Sequence, residues 1–472
     1  MKRPFMAQAG LIAIIFAFTV SVTHAQTSSN SVYQPPQQTP FLGSVPTDQI
    51  SAQPISLSLQ DAVNRGLEHN LGVLIAEQGH QYAEGSRWKA LSDLLPNFRT
   101  ETYESSQKIN LATFGFTSIP GVPQILGPFT VFDTRAFLSQ SVLNFKYIYA
   151  ERAASATEKA AQYSYSDARD LVVLVCANLY LRAVAASSRI VASEAQLKTA
   201  EALYTLAQDL KKSGIAPGID VLRSQVEFQT QQQRLTSLKN DYAKETLDLL
   251  RAIGLPLGQE IILTNALNDA ALPPMTLDQA LKIAYDSRAD YKRAYALVTA
   301  AEDERKSAAA ERYPALSLNA DYGLSGDTPS NSFGTYRVLG MLSFPIFEGG
   351  KIHGNVLQAE ATLQQRKSEQ ADLRSRIEYE VRTAFLDMNS SAENARVAAT
   401  TLELAKEQLT QAQDRFSAGV SNNIEVLQAQ QALSGANDNY ISSLYIYNAS
   451  KGTLARALGV AEEAYQNFIL GE

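Results

Sequence analysis

The most regular hydrophobic pattern in this chain has a helical period, and it occurs twice. Apolar or small residues recur at alternating steps of four and three from Val172 to Ala207, which is the spacing of a heptad seam. Moving each position by 205 residues gives a second seam, from Ile377 to Ala412, which is again apolar or small throughout. Many seam residues are alanine or serine, and further leucines add a second contact face. The pattern therefore predicts two long helices, each packed against two neighbours as in a wall or a barrel.

Glycines mark the predicted ends of these helices. The first helix is expected to run over about residues 146–213, on the order of 100 Å at ~1.5 Å per residue, and to end at Gly214. Gly419 ends its counterpart in the second half of the chain. A helix of about half that length is predicted to return from each glycine, to Ile253 and to Leu458. A helix of about 100 Å is longer than a compact domain.

Shorter helices and strand pairs are predicted before each long helix. The helices cover 59–95 and 277–313, and a proline ends each because it cannot continue a helix. We expect them to stack end to end with the returning helices. Alternating apolar and polar residues then predict two strands in each half of the chain. These strands are 98–106 and 130–142 in the first half, and 315–323 and 335–344 in the second.

The chain therefore reads as two tandem repeats of one unit. The run Leu59-Gln60-Asp61-Ala62-Val63 resembles Leu277-Asp278-Gln279-Ala280-Leu281 at an offset of 218, and Gly254 matches Gly459 at an offset of 205. The following boundaries are predicted: a signal peptide 1–25, a disordered leader 26–56, a first repeat 57–256, a linker 257–274, a second repeat 275–460 and a C-terminal tail 461–472.

The first residues indicate export from the cytoplasm. Lys2 and Arg3 precede an apolar run from Leu11 to Val22, and small residues before Gln26 are typical of a signal-peptide cleavage site. The prolines, glutamines and serines that follow predict the disordered leader. We expect no later segment to span a membrane as a helix. If the mature protein is a membrane protein, a closed β-barrel is the remaining way to satisfy its backbone groups in lipid.

Composition and chemistry-bearing residues exclude several classes of function. The net charge of -7 argues against a nucleic-acid binder, which would carry a basic face. The single cysteine, Cys176, excludes an intramolecular disulfide and lies far from the cleavage site, so it offers no lipid anchor at the mature N-terminus. The histidines are scattered, and the sequence carries no zinc-protease, CxxC or phosphate-loop motif. We therefore expect no enzyme, no catalytic residues, no metal site and no cofactor.

Four strands cannot close a membrane barrel alone, because single-chain barrels begin at about eight strands. The chain must associate to remove its sheet edges, and three copies would supply about twelve strands. The fold class expected is mainly α with a transmembrane β-barrel: two tandem repeats, long coiled-coil hairpins that form an α-barrel, and four strands per chain in a trimer.

Several motifs together resemble the outer membrane efflux protein family over residues 57–460. They are the two helix tips, from Lys212 to Leu222 and from Phe416 to Leu427, and the strand exit Phe344-Pro345-Ile346-Phe347-Glu348-Gly349-Gly350. The resemblance implies a passive export duct in the cell outer membrane, with its helical barrel in the periplasm. It further implies a homotrimer that contacts outer-membrane lipid, a periplasmic adaptor protein and, through the adaptor, an inner-membrane pump of the RND or ABC type.

The same resemblance implies two groups of site residues at the tips. Gly214, Ile215, Gly419 and Val420 are expected to dock the adaptor. In the family, the second tip narrows the periplasmic entrance through an aromatic residue before the glycine and acidic residues after it. The matching positions are Phe416, Glu425 and Gln428. The aromatic lacks a hydroxyl and the second acidic position is a glutamine, so only one carboxylate ring is expected. Helix-end stabilisation is the alternative role of Glu425.

A soluble periplasmic coiled-coil scaffold is the alternative of a different class. It would explain the heptads and the signal peptide, but not the alternating strands after each proline. Within the channel interpretation, drug efflux and protein secretion by a type I system use the same kind of duct. The sequence leaves the transported substrate, the pump and the adaptor open.

Overall fold

The computed structural model describes residues 40–46, 49–116, 120–215, 217–272, 274–466 and 468. The predicted signal peptide, 1–25, and the first part of the predicted leader lie outside the described residues. In chain order, the elements of the first half are β1 Ile55–Leu57, α1 Leu59–His69, α2 Leu71–Ser92, β2 Asn97–Asn110, β3 Ile125–Leu143, α3 Phe145–Lys212 and α4 Gly218–Ile253. Those that follow are β4 Ile261–Leu263, α5 Leu277–Ser287, α6 Ala289–Ala310, β5 Ala315–Gly326, β6 Ser332–Ser343, α7 Lys351–Ser417, α8 Asn423–Leu458 and α9 Ala461–Tyr465.

The same order of elements occurs in both halves of the chain. Two short helices lead into two strands, a helix of 68 or 67 residues, and a returning helix of 36 residues. The returning helices end at glycines with left-handed backbone, Gly254 and Gly459. Helix therefore dominates the fold, as the hydrophobic period predicts.

The heptad seams are buried along most of their length. In α3 the side chains of Val172, Cys176 and Ala183 are fully inaccessible, and in α7 those of Ile377 and Val381 are as well. The part of the first seam from Val172 to Ala183 packs with α1, α4 and α9 in the largest hydrophobic cluster. Along its length α3 contacts α2, α4, α6 and α8. The prediction of long helices with two contact faces is confirmed.

One difference concerns the helices before the strands, which the sequence predicts to be continuous. Each is broken, at Asn70 and at Arg288. The buried Asn70 caps α2 by accepting from the backbone N–H of Gly72, and its side-chain amide donates to the backbone oxygens of Phe41 and Ala252, at 2.8 and 3.1 Å. Since Ala252 lies in the last turn of α4, this amide joins the returning helix to the junction of α1 and α2. The predicted end-to-end stacking is therefore present, and the break is the point of contact.

Four antiparallel strands form one sheet in the order β2-β3-β5-β6. The strands run longer than the alternation predicts, since β3 has 19 residues. Residue pairs such as Phe137 with Asp321, and Asp321 with Arg337, fix the register across the sheet. In β5, Leu318, Ala320 and Tyr322 therefore lie on one face, with Asp321 on the other, as predicted.

The prediction of a disordered leader is wrong for the part that the structure describes, residues 40–46 and 49–56. Phe41 packs against the largest hydrophobic cluster, and a Cβ at Gly72 would overlap its ring. β1 pairs in parallel with β4, which lies in the predicted linker. Tyr180 on α3 donates to the backbone oxygen of Leu57 at 3.1 Å. Long-range contacts order this segment despite its polar composition. In the predicted C-terminal tail, α9 likewise packs into the cluster.

By length and composition, α3 could cross a membrane, contrary to the expectation that no later helix could. Its apolar window is mostly buried by the rest of the chain, and the core helix of a soluble protein has the same composition. The finding therefore does not identify a membrane span.

Candidate functional site

The first helix tip is a tight turn between α3 and α4. Gly214 adopts a positive φ of 74°, which favours glycine, and Ile215 is 69% exposed. The carboxylate of Asp220 lies in the first turn of α4 and is buried, with Arg223 at 3.2 Å. An acidic residue at this position is stabilised by the helix N-terminus.

The second tip has the same form. Gly419 has a φ of 73°, and Val420 is also 69% exposed. Asn422 caps α8 by accepting from the backbone N–H groups of Ile424 and Glu425, at 3.0 and 3.3 Å. The four residues predicted to dock an adaptor therefore occupy two exposed turns.

A buried asparagine joins the two tips, and the sequence interpretation missed it. Asn423 is fully inaccessible, and its amide donates to the backbone oxygen of Asp220 at 3.1 Å and to the Ser224 hydroxyl at 2.8 Å. The contact crosses from α8 to α4, so both turns lie at the same end of the molecule. A buried amide between two helices restricts how they slide past one another, because each hydrogen bond lost there is uncompensated.

Glu425 lies at the rim of the second tip. Its carboxylate accepts from the Ser421 hydroxyl and lies 3.3 Å from the Arg415 guanidinium. The side chain is half-exposed, whereas Asp220 at the matching place in the first tip is buried. Gln428, one turn along α8, is exposed. The two acidic residues therefore differ in accessibility although the sequence places them alike.

Phe416 is a correction to the expectation of a pore-facing aromatic. Its side chain is 6% exposed and belongs to a cluster with Leu409, Val426 and Ala429. An apolar ring at the end of a hairpin gains more from this burial than from exposure to water. Within one chain, Phe416 therefore closes the core of the tip.

A second polar cluster, also missed, lies on one face of the sheet. Arg135 on β3 contacts Asp133 on its own strand, Asp321 on β5 and Thr335 on β6. Arg337 on β6 also contacts Asp321. The alternation of charged residues in β3 was a signal for this cluster, but only the register brings the strands' charges together.

The sheet also has two open edges. Neither β2 nor β6 pairs with another strand on its outer side in the part of the chain that the structure describes. Nearly every residue of both strands is exposed. Unpaired edges of this length are sites of strand addition from another chain.

No group of three or more histidine, cysteine or acidic residues in the described ranges could hold a metal ion. Burial raises the pKa of the Cys176 thiol to about 12, which keeps it protonated and unreactive.

The model of one protein family matches most of the chain. The family is described as outer membrane efflux protein, and it matches residues 63–255 and again 280–460. Similar proteins include the alkaline protease secretion protein AprF of Pseudomonas aeruginosa, 25% identical over 320 residues, which cover 65% of this chain and 66% of AprF. Another is the pyoverdine export outer membrane protein OpmQ of Pseudomonas putida, 23% identical, with 60% of each chain covered. The chain thus spans about three fifths to two thirds of these relatives.

Solved structures have the same fold. The outer membrane protein VceC of Vibrio cholerae superimposes with a TM-score of 0.73 at 17% identity, covering 85% of this chain and 96% of VceC. CusC, whose structures concern folding and transmembrane channel formation, superimposes with a TM-score of 0.74 at 17% identity, covering 88% of this chain and 99% of CusC. At this identity the likeness concerns the fold.

Proposed function

Because this chain belongs to the family of outer membrane efflux proteins, we propose that it is a channel subunit of a tripartite efflux or type I secretion system. The duct passes its cargo passively across the outer membrane and performs no chemistry. The names of the relatives cover both uses, since AprF is a secretion protein and OpmQ an export protein. The channel's proposed partners are a periplasmic adaptor and an inner-membrane pump of the RND or ABC type.

The observation that carries the proposal is a sheet with two open edges on a long helical hairpin pair. The four strands alternate in direction, so β6 of one copy can pair antiparallel with β2 of the next. Three copies would close a barrel of about twelve strands, within the range of outer-membrane barrels. A soluble coiled-coil scaffold, the alternative, has no use for these strands.

The two long helical hairpins extend the same assembly. Their heptad packing joins α3 and α7 to the returning helices within a chain, and three such pairs would form a tube of twelve helices, about 100 Å long. The domain boundaries that we propose follow from this: two repeats, 57–256 and 275–460, with a linker, 257–274, that contributes β4. The signal peptide, 1–25, directs export.

Oligomeric mass tests the closed barrel directly. The mature protein in detergent is expected to be a trimer by light scattering and to change gel mobility on heating, because heat would unfold the closed barrel. A stable monomer would refute the closure of the sheet by other copies.

At the opposite end, we propose that Gly214, Ile215, Gly419 and Val420 form the surface that docks the adaptor. Cysteines at Ser213 or Ser421, introduced in a Cys176→Ala background, are expected to crosslink to the adaptor in cells. A cysteine at Thr328, in the exposed turn between β5 and β6, is the control and is expected to give no adaptor crosslink. Crosslinking only from Thr328 would reverse the orientation.

We further propose that Glu425 lines the periplasmic entrance, with Gln428 beside it and Phe416 holding the shape of the tip from within. A ring of carboxylates in a narrow pore favours cations. Glu425→Ala is expected to lower cation selectivity in planar-bilayer recordings. The matched Asp220→Ala is expected to have no such effect, since that carboxylate is buried. Equal effects would make both residues helix-end charges only.

A further inference from the structure

Four charged residues lie on one face of the sheet, at about the same position along the strands. Alternation places Asp133 and Arg135 on the same face of β3, and the register places Asp321 and Arg337 opposite each other on β5 and β6. Asp321 and Arg337 both lie in the middle of their strands. The other face of β5 carries Leu318, Ala320 and Tyr322.

These four side chains form one ion-paired network across three strands. Two nitrogens of Arg135 donate to Asp133, at 3.2 and 3.0 Å, while a third donates to Asp321. Asp321 also accepts from Nε of Arg337 at 3.2 Å, so it is shared between two guanidinium groups. Thr335 adds a contact to Arg135 at 3.0 Å. Together with Glu101 and Tyr103, these residues line a recess of about 490 Å³.

The network presents its charges to solvent unequally. Asp133 and Asp321 are buried beneath the arginines, with Asp321 8% exposed. The side chain of Arg337 is 73% exposed, and it contacts Asp321 through Nε, so the rest of its guanidinium faces outward. Glu101 is also exposed, but it lies 3.3 Å from Arg99 on the same strand. A solute that approaches this face therefore meets the positive end of the network first.

We propose that this network is a charge filter inside the barrel, in which Arg337 interacts with anionic groups of passing solutes and Asp321 holds Arg337 in place. The inference rests on the proposed trimeric channel, because only a closed barrel turns the polar face toward a lumen. In such a barrel, three copies of Arg337 surround the path at mid-height of the strands. The filter is separate from the helix tips, which lie at the far ends of α3 and α7.

Charge balance gives the test a definite sign. The two acidic residues and two arginines of the network cancel, so removing Arg337 leaves one uncompensated buried negative charge per chain, three in the trimer. A fixed charge in a narrow pore attracts counter-ions and repels co-ions. Arg337→Gln must therefore shift selectivity toward cations, and Arg337→Glu must shift it further. Arg337→Lys keeps the charge and should leave selectivity unchanged.

The experiment measures reversal potentials of the purified channel in planar bilayers under a potassium chloride gradient. We expect the potassium-to-chloride permeability ratio to rise by at least about two-fold for Arg337→Gln and by more for Arg337→Glu, because the Coulomb interaction of a single charge with an ion about 10 Å away in water already gives that factor. Glu104→Gln is the matched control. Glu104 on β2 pairs with Phe132 on β3 and lies an odd number of residues from Glu101, so its side chain is on the opposite face of the sheet and should not shift the ratio.

The outcomes separate this inference from the channel proposal. Open channels whose permeability ratio stays the same in Arg337→Glu would overturn the filter and leave the channel intact. An equal shift in Glu104→Gln would also overturn it, because the effect would not depend on the face. Absence of conductance from the wild-type protein would refute the channel itself, and the filter with it.

Discussion

A fully buried lysine offers a quantitative test of the packing between α8 and the linker. Lys451 is inaccessible to solvent, and its ammonium lies 3.4 Å from Oδ1 of Asn268 and 4.3 Å from the ring centre of Tyr447. Tyr447 and Asn448 also donate to linker backbone oxygens, at 3.1 and 2.8 Å. Burial lowers the pKa of Lys451 to about 8, while the nearby Asp269 opposes this effect. The substitution Lys451→Met keeps the side-chain volume and removes the charge.

The contribution of Lys451 to stability changes with pH because the folded and unfolded states bind different numbers of protons. Unfolded, Lys451 has its ordinary pKa of 10.5, so between about pH 8 and 10.5 the unfolded state holds more protons than the folded state. The contribution of Lys451 to stability therefore rises with pH through this window, by at most about 3 kcal/mol at ~1.4 kcal/mol per pH unit. Below pH 8 the folded protein carries the full cost of the buried charge. The methionine variant should then be more stable at pH 7, by about 1–2 kcal/mol after the loss of the aromatic contact.

Another buried group changes stability in the opposite direction. The pKa of the Cys176 thiol is raised from 9.0 to about 12 by burial, so the unfolded state loses this proton first and stability falls as the pH rises above 9. Burial also raises the pKa of Tyr180, with the same sign above its ordinary value of 10. The measurement therefore uses the Cys176→Ala background and ends at pH 9.5.

The assay is urea unfolding in detergent, followed by far-UV circular dichroism at fixed protein concentration, from pH 7 to 9.5. The stability difference between Lys451→Met and its parent should be largest at pH 7 and should shrink above pH 8. A difference that stays constant with pH would refute the burial of a charged lysine. A parent that loses stability relative to the variant as the pH rises would show that burial does not lower the pKa of Lys451.

Three further substitutions test the packing of the helical part by urea unfolding at pH 7, in the protein that retains Cys176. Gly66→Ala should lower the free energy of unfolding by about 1–3 kcal/mol, because the added Cβ would overlap Sγ of Cys176. Adding Cys176→Ala should restore part of this loss, and the absence of any rescue would refute the overlap. Ser58→Ala should cost about 1 kcal/mol by removing the capping box of α1, and an unchanged midpoint would contradict its role. Arg288→Met should cost about 3–5 kcal/mol by leaving the carboxylate of Asp290 buried and unpaired, whereas a double change with Asp290→Leu should recover most of it; equal losses in both would exclude this cause.

The sequence predicted the helices and strands well because their patterns are local. A seam of apolar residues from Val172 to Ala207 specifies a helix whatever the helix packs against, since the spacing alone makes one continuous stripe. Alternation in β5 likewise predicts two faces from neighbouring residues. Glycines after α3 and α7 marked both tips, because a left-handed glycine commonly follows the end of a helix.

The errors arose where distant parts of the chain determine local structure. Asn70 caps α2 locally through the backbone N–H of Gly72, but the same side chain also donates hydrogen bonds to Phe41 and Ala252, which are far away in sequence. The polar leader was predicted to be disordered from its composition, but Phe41 and β1 gain partners in α2 and β4. Phe416 was expected to narrow the entrance because it precedes Gly419 in the tip, but the burial of its ring decides where this side chain lies.

The charged network on the sheet depends on a glycine whose role the sequence does not reveal. Gly323 lies within β5, opposite Arg135, and has no unusual backbone angle to require it. A side chain there would overlap the backbone oxygen of Thr134 and come within 2.8 Å of Cα of Arg135. A strand glycine allows this close approach of two backbones, and its missing side chain leaves space on the polar face. Arg135 can therefore cross β5 to reach both Asp321 and Thr335, so the network that we propose as a filter needs Gly323 as much as it needs its charges.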